Sequence, residues 1–148
     1  DKETAEQAVA RWRGECPEFA AQLRKKINSL RPCIVITFDP EYGMTGHNEH
    51  RALSLVVQEL FNAKEKKNRV SDDVSLFYVI HPDRAKPEDL RISSAELTER
   101  GGRDYVQNAL EAFAVHESQL GPTGSPGNNQ ALADYRHLAE TLILRPVQ

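Results

Sequence analysis

The chain has no apolar run approaching the ~20 residues that a helix needs to cross a bilayer. It also lacks an excess of positive charge: 19 Lys and Arg stand against 22 Asp and Glu, a net charge of -3. That balance excludes a nucleic-acid binder that relies on bulk positive charge. The one basic cluster, residues 64–69 (KEKKNR), reads as a solvated loop. Two cysteines are too few for a disulfide framework. Cys33 heads an apolar run and is expected to be a small buried hydrophobe, whereas Cys16 sits in a polar stretch beside Pro17. Nothing here requires an oxidising compartment, so the cytoplasm is the expected location. Methionine is nearly absent: Met44 stands alone and the chain opens on Asp1, which leads us to expect a trimmed chain. The lack of a leader segment therefore excludes little. No internal repeat or low-complexity tract breaks the 148 residues, and 39% hydrophobic with 28% charged residues suits one ordinary soluble domain with a real core.

What is present is an alternation of helical and strand periods. Residues 3–12 (ETAEQAVARW) read as a helix with acidic residues early, interrupted by Gly14 and Pro17. Residues 18–30 place Phe19, Leu23, Ile27 and Leu30 on one apolar stripe, and Pro32 prevents that helix from continuing. Residues 33–38 (CIVITF) are short, β-branched and almost wholly apolar, the pattern of a central parallel strand buried on both faces. A loop over 39–46 leads to a helix from about 47 to 63, in which Leu53, Val56, Val57 and Leu60 keep the helical period. Residues 74–80 (VSLFYVI) then form a second buried strand. Strand, loop, helix and strand make a βαβ unit with parallel strands and a right-handed crossover, so the fold class is α/β.

Farther on, residues 89–93 (DLRIS) read as a short edge strand. A helix over about 103–119 carries Val106, Leu110, Phe113 and the following Leu120 on one side. Residues 121–129 (GPTGSPGNN) are a surface loop, followed by a helix over 130–140 and an apolar tail over 141–144.

Sites in open α/β sheets form at the carboxyl ends of the strands, where the 39–46 loop leaves. His47 and His50 open the next helix, three residues apart and hence on one face. One turn thus presents two imidazoles to a crevice where helix N-terminal amides favour an anion or a developing oxyanion. The spacing also admits a plainer reading, a polar helix start with Asn48 and Glu49 facing water. A catalytic zinc takes three protein ligands and keeps a position for water, and a single turn cannot supply three.

The stretch TFDPEYGMTGHNEHRALS (residues 37–54) resembles the second signature of the zinc-dependent N-deacetylases of the PIG-L/LmbE type. That signature is an apolar strand, a "DP…G.TGH" loop, and G-H-x-x-H followed by Arg-Ala or similar. Residues 109–119 (ALEAFAVHESQ) resemble the family's late A-L-x-A-H-x-S-Q helix, and residues 138–144 (LAETLIL) its terminal A-E-x-F segment. In order and spacing these cover nearly all of the chain. The resemblance implies a Rossmann-like parallel sheet flanked by helices. It also implies a zinc cofactor and hydrolysis of an acetyl or other acyl group from an N-acetylglucosamine-like amide.

The same resemblance makes His50 the zinc ligand and His47 the catalytic histidine that polarises the substrate carbonyl and stabilises the tetrahedral intermediate. The family's Pro-Asp between the histidines is replaced by Asn48 and Glu49, and Glu49, one methylene longer, alters the support an aspartate gives the first histidine. Thr45 lines the substrate crevice. Asp39 holds the loop or a histidine ring, or simply starts a turn. His116, on a largely apolar helix, is either a hydrogen-bonded core histidine or one that backs the site, and the resemblance favours such support over direct chemistry; His137 is a surface residue.

The family's first signature, H-P-D-D-E, brings the other zinc histidine, a zinc aspartate and the general-base aspartate. It has no counterpart near the start of this chain. Residues 1–148 are therefore expected to form one domain that is the C-terminal part of a larger deacetylase domain. Such a chain would be inactive by itself, its site completed by an N-terminal half or a partner chain. His81-Pro82-Asp83-Arg84 echoes H-P-D-D after the second strand, but Arg84 stands where the zinc aspartate would fall and cannot ligate a cation. Two other readings remain open: a hydrolase or hydratase of the same fold acting on a non-sugar substrate, and an incomplete domain without catalysis. If strands are missing, the apolar edge over 33–38 is unpaired and liable to self-association into a homo-oligomer.

Overall fold

The computed structural model describes residues 3–115 and 125–147. They form two compact units, Asp1–His81 with Leu144–Gln148, and Pro82–Ile143.

In the first unit, helix α1 (Ala5–Glu15) begins in a capping box. The Thr4 hydroxyl accepts from the Gln7 amide at 3.2 Å, and the Gln7 side chain accepts from the Thr4 amide at 2.8 Å, so two otherwise orphaned donors are satisfied. The helix runs through Gly14 and stops before Pro17. Helix α2 (Phe19–Leu30) stops at Arg31, whose left-handed backbone (φ 47°) precedes Pro32. Strand β1 (Ile34–Phe38) lies parallel to β2 (Ser75–Val79), Ile36 opposite Phe77, and the chain between them contains the short turn α3 (Gly43–Gly46) and helix α4 (Asn48–Asn62). The βαβ arrangement expected from the periodicity is present.

The core of this unit has two parts. Ala5, Ala8 and Val9 of α1 pack on Ala52 and Val56 of α4, with Trp12, Phe19 and Leu23 around them. Alanines at the contact let the two helix backbones approach closely. Ile27 of α2 packs with Leu60 of α4 and with Val70 and Val74 ahead of β2. The fully buried Ser54 hydroxyl donates to the Phe38 carbonyl, pinning α4 to the end of β1.

Three expectations need correction. First, β1 is not buried on both faces: Ile34 and Ile36 are 51% and 48% exposed, while Val35 and Thr37 point inward. Among the described residues its ladder partner is β2, so β1 is an edge strand whose apolar run includes an uncovered face. Second, Cys33, just ahead of the strand, is exposed rather than buried. Third, the sheet is mixed rather than parallel. The apolar tail is strand β4 (Thr141–Pro146), whose end runs antiparallel to β2 with Tyr78 opposite Arg145. The β-branched and apolar run TLIL supplies a strand there with no turn between it and the preceding helix.

In the second unit, β3 (Leu90–Ser93) is the other neighbour of β4. The Ser93 hydroxyl caps helix α5 (Ser94–Gly101) by accepting from the Ala95 amide, and Gly102 ends the helix at φ 65°. Asp104 caps helix α6 (Tyr105–Ala114), and helix α7 spans Pro126–Glu140. Phe113 of α6 stacks on Tyr135 of α7 with centroids 3.9 Å apart, and the Ser94 hydroxyl donates to the Ala139 carbonyl. The helix expected over 103–119 is thus observed for 105–114, and α5 ahead of it was not foreseen. His116, Leu120 and residues 121–124 lie outside the described residues. No helix among the described residues is long and apolar enough to cross a membrane.

Candidate functional site

The site begins where β1 ends. The buried Asp39 carboxylate accepts from the backbone amides of Glu41 at 3.0 Å and Tyr42 at 2.8 Å, with Met44 more distant at 3.5 Å. Its own carbonyl accepts from the Gly43 amide at 2.8 Å. These bonds make Asp39 the start of the turn and the holder of the loop, and none of them goes to a histidine ring. Arg51 of α4 clamps the loop from the other side, donating from Nε to the Pro40 carbonyl and from Nη1 to Asn48 Oδ1, both at 3.1 Å.

These contacts hold an unusual backbone. Gly43, Met44 and Gly46 have φ of 69°, 66° and 78° within the short turn α3 (Gly43–Gly46). For Met44 such a conformation costs roughly 1–3 kcal/mol and persists only where its surroundings over-determine it. At Gly43 a side chain has no room: a Cβ would lie 2.8 Å from Arg51 Cγ and 3.1 Å from the Arg51 amide nitrogen.

The turn aims the Gly43 carbonyl at His50. His50 Nδ1 lies 3.0 Å from that oxygen and 3.3 Å from Thr45 Oγ1. A carbonyl can only accept, so Nδ1 carries a proton, and in the neutral ring the lone pair then lies on Nε2. One face of the ring stacks on Phe38, with centroids 4.0 Å apart and planes 6° from parallel. His50 is thus fixed both in tautomer and in orientation. His47 caps α4 through its backbone and makes no capping bond with its side chain. Its exposed ring lies 5.2 Å from that of His50, centroid to centroid.

The structure therefore brings together His47, His50 and Thr45 over a loop held by Asp39. Asn48 does not face water as the plainer reading had it: its side chain is half-buried and donates to the Glu3 carbonyl. Glu49 is exposed on the same turn. His81, at the end of β2, meets the loop through Tyr42, ring edge to face at 5.7 Å. His137 is exposed on α7 in the second unit. Sequence reasoning missed Phe38, Tyr42, Gly43 and Arg51. The available signal was a glycine ahead of the histidine turn, because a backbone that needs positive φ there can also present a carbonyl.

Below the loop, the Tyr78 hydroxyl is buried and has no hydrogen-bond partner among the described residues. Burial, and next the negative charge of Asp39, raise its pKa above the ordinary tyrosine value near 10.0.

His50 suits a zinc ligand, since metal-bound histidines characteristically donate the other ring N–H to a carbonyl or carboxylate. A full set is another matter: among the described residues, no group of three His, Cys, Asp or Glu side chains is placed to hold a metal ion. Comparison with protein-family models, with curated proteins and with solved structures finds no match.

Proposed function

We propose that the chain is part of a zinc-dependent amide hydrolase of the PIG-L/LmbE type, which removes an acyl group from an N-acetylglucosamine-like amide. One observation carries this reading. At the carboxyl end of β1, His50 is tethered through Nδ1 to the Gly43 carbonyl, and the exposed His47 ring, which makes no capping bond, stands 5.2 Å from it. On this reading β1, α4 and β2 are the parallel core of a Rossmann-like sheet, to which β4 adds an antiparallel strand.

A bound zinc ion would supply Lewis-acid polarisation of the amide carbonyl and acidify a water. His50 would be one of its ligands, through Nε2. His47 would donate an N–H to the oxyanion of the tetrahedral intermediate, its exposed ring being free to approach a substrate oxygen. Thr45 and the Gly43 carbonyl hold His50 in place. The remaining ligands and the general base would come from a further segment or a partner chain, and the products would be a carboxylate and a free amine.

A second reading is an incomplete domain without catalysis; the lack of a three-donor group among the described residues fits both readings. Zinc titration by calorimetry separates the two. The hydrolase reading expects weak binding that is lost in His50→Ala and kept in His47→Gln. Equal behaviour of the wild type and His50→Ala would remove the metal role of His50 and leave the non-catalytic reading.

A further inference from the structure

An apolar cavity of about 480 Å³ opens beside His50 within the first unit. It forms where the chain bends between α1 and α2, bringing Trp12 and Phe19 edge to face with centroids 6.0 Å apart. Cys16, Leu53, Glu49 and His50 complete most of the lining. Its size falls in the range of roughly 300–1,000 Å³ usual for small-molecule sites.

We infer that this cavity takes the hydrocarbon part of the acyl group on the amide that His47 and His50 address, so that the substrate class is N-acyl amides with chains longer than acetyl. The inference rests on the amide-hydrolase reading. Three observations support it. His50 belongs both to the histidine pair and to the cavity wall, so a carbonyl held at His50 has its substituent within reach of the cavity. Trp12, Phe19, Leu53 and Cys16 offer little to pair with sugar hydroxyls, which would lose hydrogen bonds on entering. Of the two carboxylates in the lining, Glu15 is paired with Arg11 at 3.3 Å, and Glu49, exposed on the His50 turn, disfavours an anionic head group there, so a neutral amide is preferred to a free fatty acid.

Trp12 is the only tryptophan of the chain, and its emission therefore reports the cavity directly. The test titrates N-acetyl-, N-butanoyl-, N-hexanoyl- and N-octanoyl-glucosamine into the chain carrying Cys33→Ser, which leaves Cys16 as the only thiol. Affinity should rise about 3–4-fold per added methylene, equivalent to ~0.8 kcal/mol each. Trp12 emission should shift, Cys16 alkylation by iodoacetamide should slow, and octanoate should bind more weakly than the octanoyl amide. Cys16→Phe, which fills the cavity from an exposed position, should flatten the series, while Cys16→Ser should keep it. An affinity independent of chain length, or an undiminished slope in Cys16→Phe, overturns the inference. A flat series together with His50-dependent zinc binding removes the acyl cavity alone. A length dependence without His50-dependent zinc binding overturns the assignment to an amide substrate and leaves a site for neutral chains.

Discussion

Replacing Gly43 by alanine strikes the loop and His50 at once. The left-handed backbone at φ 69° costs a residue with a Cβ roughly 1–2 kcal/mol. The new Cβ would also stand 2.8 Å from Arg51 Cγ and 3.1 Å from both the Arg51 nitrogen and His50 Cβ. Arg51 cannot yield cheaply, because its guanidinium is committed to the Pro40 carbonyl and to Asn48. Overpacking of this kind adds about 1–3 kcal/mol. A loss of about 3 kcal/mol is therefore expected, a fall in Tm of roughly 6–12 °C at this chain length. Urea unfolding followed by Trp12 emission measures it, because Trp12 packs against the core cluster that α4 shares. Nitrogen-15 spectra of the imidazoles give the second readout: the wild type should show His50 protonated on Nδ1, and Gly43→Ala a mixture of tautomers. A loss below ~0.5 kcal/mol, the range of neutral surface changes, with the tautomer unchanged would refute both the strain and the tether.

Tyr78→Phe should be neutral or stabilising by up to about 1 kcal/mol at pH 7, since the hydroxyl it removes is buried without a partner among the described residues. The folded-state pKa of Tyr78 is raised, so above pH 10.0 the unfolded chain gives up its tyrosine proton more readily than the folded one, and the wild type loses stability as pH rises from there through the folded value. Unfolding titrations on either side of pH 10 should therefore show the wild type weakening more steeply than the variant, and parallel curves would count against this. Asp39→Ala removes the acceptor of two well-made amide bonds and should cost about 2–4 kcal/mol by urea unfolding; a change under ~1 kcal/mol would mean that the loop holds itself. Ile36→Lys should reduce self-association in sedimentation velocity, because it charges the exposed face of the β1 edge. A wild type that stays monomeric at high concentration would show that the uncovered face is not sticky.

The helix–strand alternation was legible because it rests on changes of period, and α1, α2, β1, α4 and β2 fall close to the residues that those changes mark. The burial of β1 was not. A run such as CIVITF records which side chains prefer to leave water, and Ile34 and Ile36 remain exposed because no element of this chain is described over them. Strand β4 was hidden by following α7 without a turn signal, and α5 by an interior with Leu97 as its one large apolar residue. The helix-end signals of α5, Ser93 and Gly102, were nevertheless present. The histidine pair was readable from its spacing. Its geometry was not, because it depends on Met44 adopting a backbone conformation that local propensity would never assign to methionine.

That strained turn is the best reason to treat the histidines as a site rather than as a polar helix start. A helix start needs no positive φ, and Asp39 alone could close a turn with ordinary backbone. Here three residues of the turn are left-handed, and the carbonyl they aim lands 3.0 Å from His50 Nδ1. The cost is offset by the amides bound to Asp39 and by the Arg51 clamp, neither of which benefits directly from the ring. What the ring gains is one tautomer, a fixed plane against Phe38, and an Nε2 without a hydrogen-bond partner among the described residues. Metal ligation and proton transfer both require that state and both gain from having its ordering complete before a ligand arrives. The two differ in the consequence of losing the tether. A ligand histidine in Gly43→Ala would lose zinc affinity about 10–100-fold, the usual effect of disrupting the support behind a metal ligand. A histidine that serves only to move a proton would leave zinc affinity unchanged.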